Sequence, residues 1–201
     1  MNGKSRIKVY VCDIPDISRI DMSEVDTFPE YRQQRILSAG SERAKAANYA
    51  AGLMLRDILN VRCDADISFS GKGKPYLASG SQFFSLSHDD QHVVLAVGDC
   101  ETGVDTEVFR KIKEPVRKRV FTEEEMAYCG EDVKKGVWLW TRLEAALKLS
   151  GDGIGGIDKR SFSLLEDCEG LYIDTFEKDG SVISVACRDP FEAEIIIPAA
   201  E

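Results

Sequence analysis

The hydrophobic pattern changes period several times along the chain. Residues 7–12 and 92–97 carry short β-branched and apolar runs that predict strands. Between 41 and 60, Ala46, Ala47, Ala50, Ala51, Leu53 and Leu55 predict a long helix whose small side chains suit close packing. Pro29 suits the first turn of a shorter helix over 31–37. Strands are expected over 67–70, 83–88 and 104–108, with turns at 71–75, 89–91 and 101–103. Thr122 and Glu125 have capping-box spacing and predict a short helix start. A second long helix follows around 137–148 and is stopped by Gly151. Four β-like segments close the chain at 161–165, 172–176, 181–187 and 192–197. The expected fold class is α+β, with an antiparallel sheet and helices in each half. No repeat or low-complexity segment stands out. The similar content of the halves leaves a pseudo-twofold pair open.

The 137–148 helix holds the most informative conflict. Val137, Trp140, Leu143 and Leu147 share one side with Glu144, and a carboxylate on an apolar side is costly unless it is paired. Lys148 lies one turn further on. Asp105 and Glu107, two apart on a predicted strand, project to one face and repel each other. With Glu144 they make three hard oxygen donors, which suit Mg²⁺. A solvated strand edge is the plainer reading of the Asp-x-Glu pair taken alone.

Other polar clusters also admit two readings. Gly71-Lys72-Gly73-Lys74-Pro75 could let backbone and lysine approach an anion, or be an exposed hairpin. Arg32 and Arg35 share a helical face that could simply be solvated. Ser87-His88 ends a strand, where a histidine is commonly structural. The run from Arg110 to Arg119 could dock an acidic protein or be a solvated connector. No serine, cysteine or histidine arrangement announces a nucleophile and base, and no P-loop or GxGxxG is present.

Composition narrows the classes. The 201 residues suffice for one domain or two small ones, with 43% hydrophobic and 30% charged residues. A formal charge of −9 argues against nucleic-acid binding by bulk charge. Six cysteines without a CxxC pair, and only two histidines, argue against zinc. The polar start carries no secretory signal, and no stretch approaches the roughly 20 apolar residues of a membrane span. The expectation is a cytoplasmic, non-membrane, monomeric protein with reduced, mostly buried thiols.

Four stretches taken in order are similar to motifs of the 4′-phosphopantetheinyl transferase superfamily, in its longer, surfactin-synthetase-activating class. They are Gly73-Lys74-Pro75-Tyr76, Phe84-Ser85-Leu86-Ser87-His88, Gly103-Val104-Asp105-Thr106-Glu107 and Trp140 through Glu144 to Lys148, with Phe121 to Glu125 just before the last. The resemblance spans roughly residues 73–153. It departs at Leu143, where the family has lysine, at Ser85, where it has asparagine, and at Asp89-Asp90.

This resemblance implies two similar α+β halves, 1–100 and 101–201, with an active-site cleft between them. It implies Mg²⁺-dependent transfer of the 4′-phosphopantetheine arm of coenzyme A to a serine of an acyl or peptidyl carrier protein, releasing adenosine 3′,5′-bisphosphate. Asp105, Glu107 and Glu144 would be the metal ligands. Glu144 would serve as base and Lys148 would hold a phosphate. Lys74, Ser87 and His88 would contact the coenzyme, and Arg32, Arg35 and Lys45 its 3′-phosphate. Leu143 removes one positive charge and keeps open a non-catalytic coenzyme A or nucleotide-binding module. An unrelated Mg²⁺-dependent phosphohydrolase would use the same carboxylates.

Overall fold

A computed structural model describes residues 4–151 and 161–197. Strand β1 (Ser5–Asp13) is central to a four-stranded sheet in the order β4-β5-β1-β9. Its neighbours are β4 (Phe83–His88), β5 (His92–Gly98) and β9 (Phe191–Ile196). Pairing is antiparallel except at one edge, where β9 runs parallel to β1. The last described strand thus returns to the sheet that the first strand founded. A second, wholly antiparallel sheet has the order β6-β8-β7, from β6 (Thr102–Val108), β7 (Tyr172–Lys178) and β8 (Ser181–Cys187). A small hairpin joins β2 (Ile67–Phe69) to β3 (Pro75–Leu77).

Strand alternation sorts the side chains into layers. On one face of β1 and β5, Ile7, Val9, Val11, Val94 and Ala96 meet Val104, Ile183 and Val185 of the second sheet. On the other face, Phe84, Val93, Leu95 and Val97 pack on the alanines of α2 (Glu42–Leu59). The second sheet's outer face receives α5 (Val133–Ser150), where Ala145, Ala146 and Leu149 meet Ile173 and Ala186. The order is therefore helix, sheet, sheet, helix.

Caps fix where the helices begin and end. Ser41 Oγ accepts from the Ala44 N–H at the start of α2, and left-handed Asn60 ends it. Asp132 caps α5 at the Lys135 N–H, and Gly151, at φ 70°, ends it. Shorter helices are α1 (Glu30–Leu37), α3 (Glu114–Val120) and α4 (Glu123–Cys129). The Thr122–Glu125 capping box forms as the spacing predicts.

Residues 161–165 are not a strand, contrary to expectation. Buried side chains satisfy that backbone in place of a ladder. The Leu164 N–H donates to Glu125 Oε1 at 2.9 Å, and its carbonyl accepts from Arg142 Nε at 2.6 Å. Among the described residues, no helix is long and apolar enough to cross a membrane.

Candidate active site

The site begins with a glycine. A Cβ at Gly103 would lie 2.1 Å from the Ala145 carbonyl oxygen and 2.5 Å from the Leu149 amide nitrogen. Only hydrogen fits, so α5 rests directly on β6. Gly103, Asp105 and Glu107 share one strand face, which is therefore the face beneath α5. Glu144 and Lys148 come down from the helix one turn apart.

Serines of β4 close the seam between the sheets. Ser85 Oγ accepts from the Val104 N–H at 3.0 Å. Ser87 Oγ donates to Asp105 Oδ1 at 2.8 Å. Lys148 Nζ donates to both Asp105 Oδ1 and Ser87 Oγ, at 2.7 Å each. Asp105 is buried, and its Oδ2 finds no hydrogen-bond partner among the described residues. Burial pushes the Asp105 carboxyl upward, against the pull of Lys148 and Ser87. Glu144 is pushed up to about 7, by desolvation first and then by Asp105, with Lys148 opposing. Glu107 also raises it, so the three carboxylates feel one another.

Glu107 is held differently. Arg110 grips it bidentately at 2.9 and 2.7 Å, and Trp140 Nε1 donates to it at 3.3 Å. Among the described residues, no group of three or more His, Cys, Asp and Glu is arranged to hold a metal ion. Lys148 and Arg110 neutralise Asp105 and Glu107 instead. By donor chemistry the three carboxylates fit a hard divalent cation, and the orphaned Asp105 Oδ2 is an acceptor such an ion would satisfy.

A pocket of about 280 Å³ adjoins this cluster. The Lys72–Pro75 turn, Phe84 to Leu86, and Glu144, Leu147 and Lys148 line it. Lys74 reaches it, but its Nζ is committed to the carbonyls of Thr102 and Leu149, at 3.1 Å each. Those bonds tie the β2–β3 turn to the end of α5, and burial lowers the Lys74 pKa. Lys72 also lines the pocket, just ahead of the 73–76 motif that singled out Lys74.

The remaining expected residues lie in two groups. His88 sits at the exposed end of β4, with its pKa lowered by desolvation, and by Lys148 and Arg32, against Asp89. Arg32 is buried, lies over the Tyr31 ring at 5.2 Å and donates to Asn48 Oδ1. Its Nε has no hydrogen-bond partner among the described residues. Arg32 and Lys148 thus put positive charge near His88 and favour its neutral form. Arg35 is exposed on α1 and Lys45 half-buried on α2, and neither is tied to the cluster by a hydrogen bond.

Two sequence departures change meaning here. Leu143 is fully buried with Leu139, Leu147 and Leu164, in a core beside α4. It points into packing. Asp89 is a buried turn-former, accepting from the Gln91 and His92 amides and from Thr106 Oγ1. The basic run is largely paired within the chain: Arg110 with Glu107, Lys111 with Glu131, Lys118 with Glu114, and buried Arg117 with the Gly130 carbonyl. Lys113 and Arg119 are exposed.

Residues 101–191 match the model of the 4′-phosphopantetheinyl transferase superfamily. That segment holds Asp105, Glu107, Glu144 and Lys148, while Lys74, Ser87, His88 and Arg32 lie before it. Over 142 residues the chain is 34% identical to the 4′-phosphopantetheinyl transferase psf-1 of Bacillus pumilus, covering 62% of this chain. The alignment spans 61% of that relative's own length.

Proposed function

We propose that this protein is a 4′-phosphopantetheinyl transferase of the longer, two-half class, with halves 1–100 and 101–201 related by a pseudo-twofold axis. In this reading coenzyme A binds in the pocket at the seam, and a serine of an acyl or peptidyl carrier protein is modified. The observation that carries it is the convergence of Asp105, Glu144 and Lys148 beside a lysine-lined pocket, within the segment that matches the superfamily.

The reaction moves one phosphoryl-linked arm. The carrier serine Oγ bonds to the phosphorus nearest pantetheine, and the bond from that phosphorus to the bridging oxygen breaks. The electron pair leaves with adenosine 3′,5′-bisphosphate, and the serine proton goes to a base. Catalysis of this kind is mainly positioning and charge neutralisation. Glu144 would accept that proton. Lys148 bridges Asp105 and Ser87, and its ammonium can turn toward an arriving phosphate. Lys72 and Lys74 line the pocket, and His88 ends the adjoining strand β4. Arg32, with Arg35 and Lys45 further out, would receive the 3′-phosphate. Asp105, Glu107 and Glu144 would hold Mg²⁺, which when bound supplies charge neutralisation at the pyrophosphate. Glu107 would exchange Arg110 for it.

Leu143 gives little ground for a non-catalytic module, because its side chain belongs to the core. We place the protein in the cytoplasm as a monomer that uses neither nucleic acid nor membrane. Labelling of a panel of carrier proteins with a fluorescent coenzyme A tests the proposal. Labelling should require Mg²⁺ and disappear in Asp105→Ala and Glu144→Gln. Undiminished labelling in both variants would refute the assignment.

A further inference from the structure

Two thiols outside the proposed site meet where the sheets join. Cys100 lies in the turn from β5 to β6, and Cys187 ends β8, opposite Thr102. Their Sγ atoms are 2.7 Å apart although 87 residues separate them in sequence. Even carbon atoms, smaller than sulfur, rest about 3.5–4.0 Å apart without a bond. A disulfide needs roughly 2.05 Å, so the two sulfurs require only a slight further approach. Cys187 is fully buried in the core between the sheets, while Cys100 is half-exposed. One sulfur can therefore be reached by a small solute, and the other stands directly behind it.

We propose that Cys100 and Cys187 are an oxidative modification site, at which hydrogen peroxide converts the dithiol to a disulfide clamping the head of β6 to the tail of β8. The Cys100 thiolate attacks one peroxide oxygen, and the O–O bond breaks to give a sulfenic acid and hydroxide. Cys187 then attacks the Cys100 sulfur, the S–S bond forms and hydroxide leaves. With the two thiol protons, one peroxide becomes two waters. Cys100 sits three residues ahead of Gly103, and neither thiol is hydrogen-bonded to a site carboxylate among the described residues. The link therefore stiffens the joint between the sheets rather than blocking chemistry, and it closes a long loop, where chain-entropy gains are largest.

The surroundings set the pace. Burial, with Cys187 and Asp99 acting the same way and Ser5 opposing, pushes the Cys100 thiol up to about 12. Thiolate is scarce at neutral pH, so the reaction is slow there and quickens as pH rises.

The test uses the full chain, with no dependence on the proposed transferase activity. The reduced protein is treated with hydrogen peroxide, its remaining thiols are alkylated, and it is digested without reductant for mass spectrometry. The expected product is a peptide pair joined through Cys100 and Cys187, about 2 Da lighter than the two thiol peptides together. Its Tm should exceed that of the reduced protein by several degrees and return with dithiothreitol, and Cys100→Ala should show neither effect. Three results would overturn the proposal. One is oxidation of Cys100 to a sulfinic acid without a link. The second is cross-linking only through exposed Cys63 or Cys168, and the third is a 100–187 link that leaves Tm unchanged.

Discussion

Helices α2 and α5 are each 18 residues long, each end in a left-handed residue, and each lay alanines on a sheet. Only α5 carries charge into its interface. The difference lies in the strand beneath. Above β5, α2 meets Val93, Leu95 and Val97, full-sized side chains that hold it at ordinary distance. Below α5, Gly103 removes that spacer and brings the helix backbone onto β6. At that range Glu144 and Lys148 face Asp105 and Glu107, and the burial of charge is offset within the cluster. Two similar frames thus give one apolar helix interface and one charged one.

The sharpest way to break this comparison is Gly103→Ala. The new methyl would strike backbone, which cannot swing aside, so α5 must lift. A loss of about 3 kcal/mol, at the upper end of overpacking costs, is expected in urea denaturation, with labelling abolished. Gly52 of α2 is a comparison, because its nearest neighbour is the Phe28 ring, a side chain rather than backbone. Gly52→Ala should cost clearly less. Equal losses at the two positions would remove the distinction between the helices.

Next in size is Lys148→Met. It leaves Asp105, with only 8% of its side chain exposed, without its cation. Breaking such a pair should cost about 2–4 kcal/mol by chemical denaturation. Adding Asp105→Asn should recover much of that loss, whereas simple additivity would mean the two residues are not coupled.

Glu144 sharpens the comparison through pH. Its carboxyl is raised from 4.5 to about 7 in the folded protein, so the folded state retains a proton that the unfolded chain releases. Stability from this group is fully present below pH 4.5 and is lost as pH rises through 7. Denaturation midpoints of the wild type should fall across that window relative to those of Glu144→Gln, and parallel curves would contradict the buried, charge-crowded setting of Glu144. The smallest effect belongs to Arg110→Ala. Its pair with Glu107 is half exposed, with 52% of the Arg110 side chain open, so stability should change by less than about 1 kcal/mol. Trp140 fluorescence should nonetheless shift, because its indole shares Glu107 with that arginine.

Much of this was legible in the chain. Strand periodicity located β1, β4, β5, β6, β7 and β8, and the caps at Ser41, Thr122 and Gly151 carried local signals that survive folding. The carboxylates could be nominated because charge on an apolar face is costly wherever it occurs. What stayed hidden depends on pairs distant in sequence. Gly103 looks like a turn residue until Ala145 is above it. The Ser161–Leu165 segment has strand composition, yet Glu125 and Arg142 take its hydrogen bonds. Leu143 reads as a lost charge only while its direction is unknown. Return of β9 to β1, and the meeting of Cys100 with Cys187, are long-range facts that no local pattern carries.

The central claim is that the charged underside of α5 is a site of phosphopantetheinyl transfer. Intact-mass spectrometry of carrier proteins, incubated with coenzyme A, Mg²⁺ and this protein, tests it most directly. The wild type should add about 340 Da to a carrier serine by phosphoryl chemistry, and folded Asp105→Asn should add nothing. An unchanged carrier mass across the panel with wild type, or an equal gain with Asp105→Asn, would contradict it.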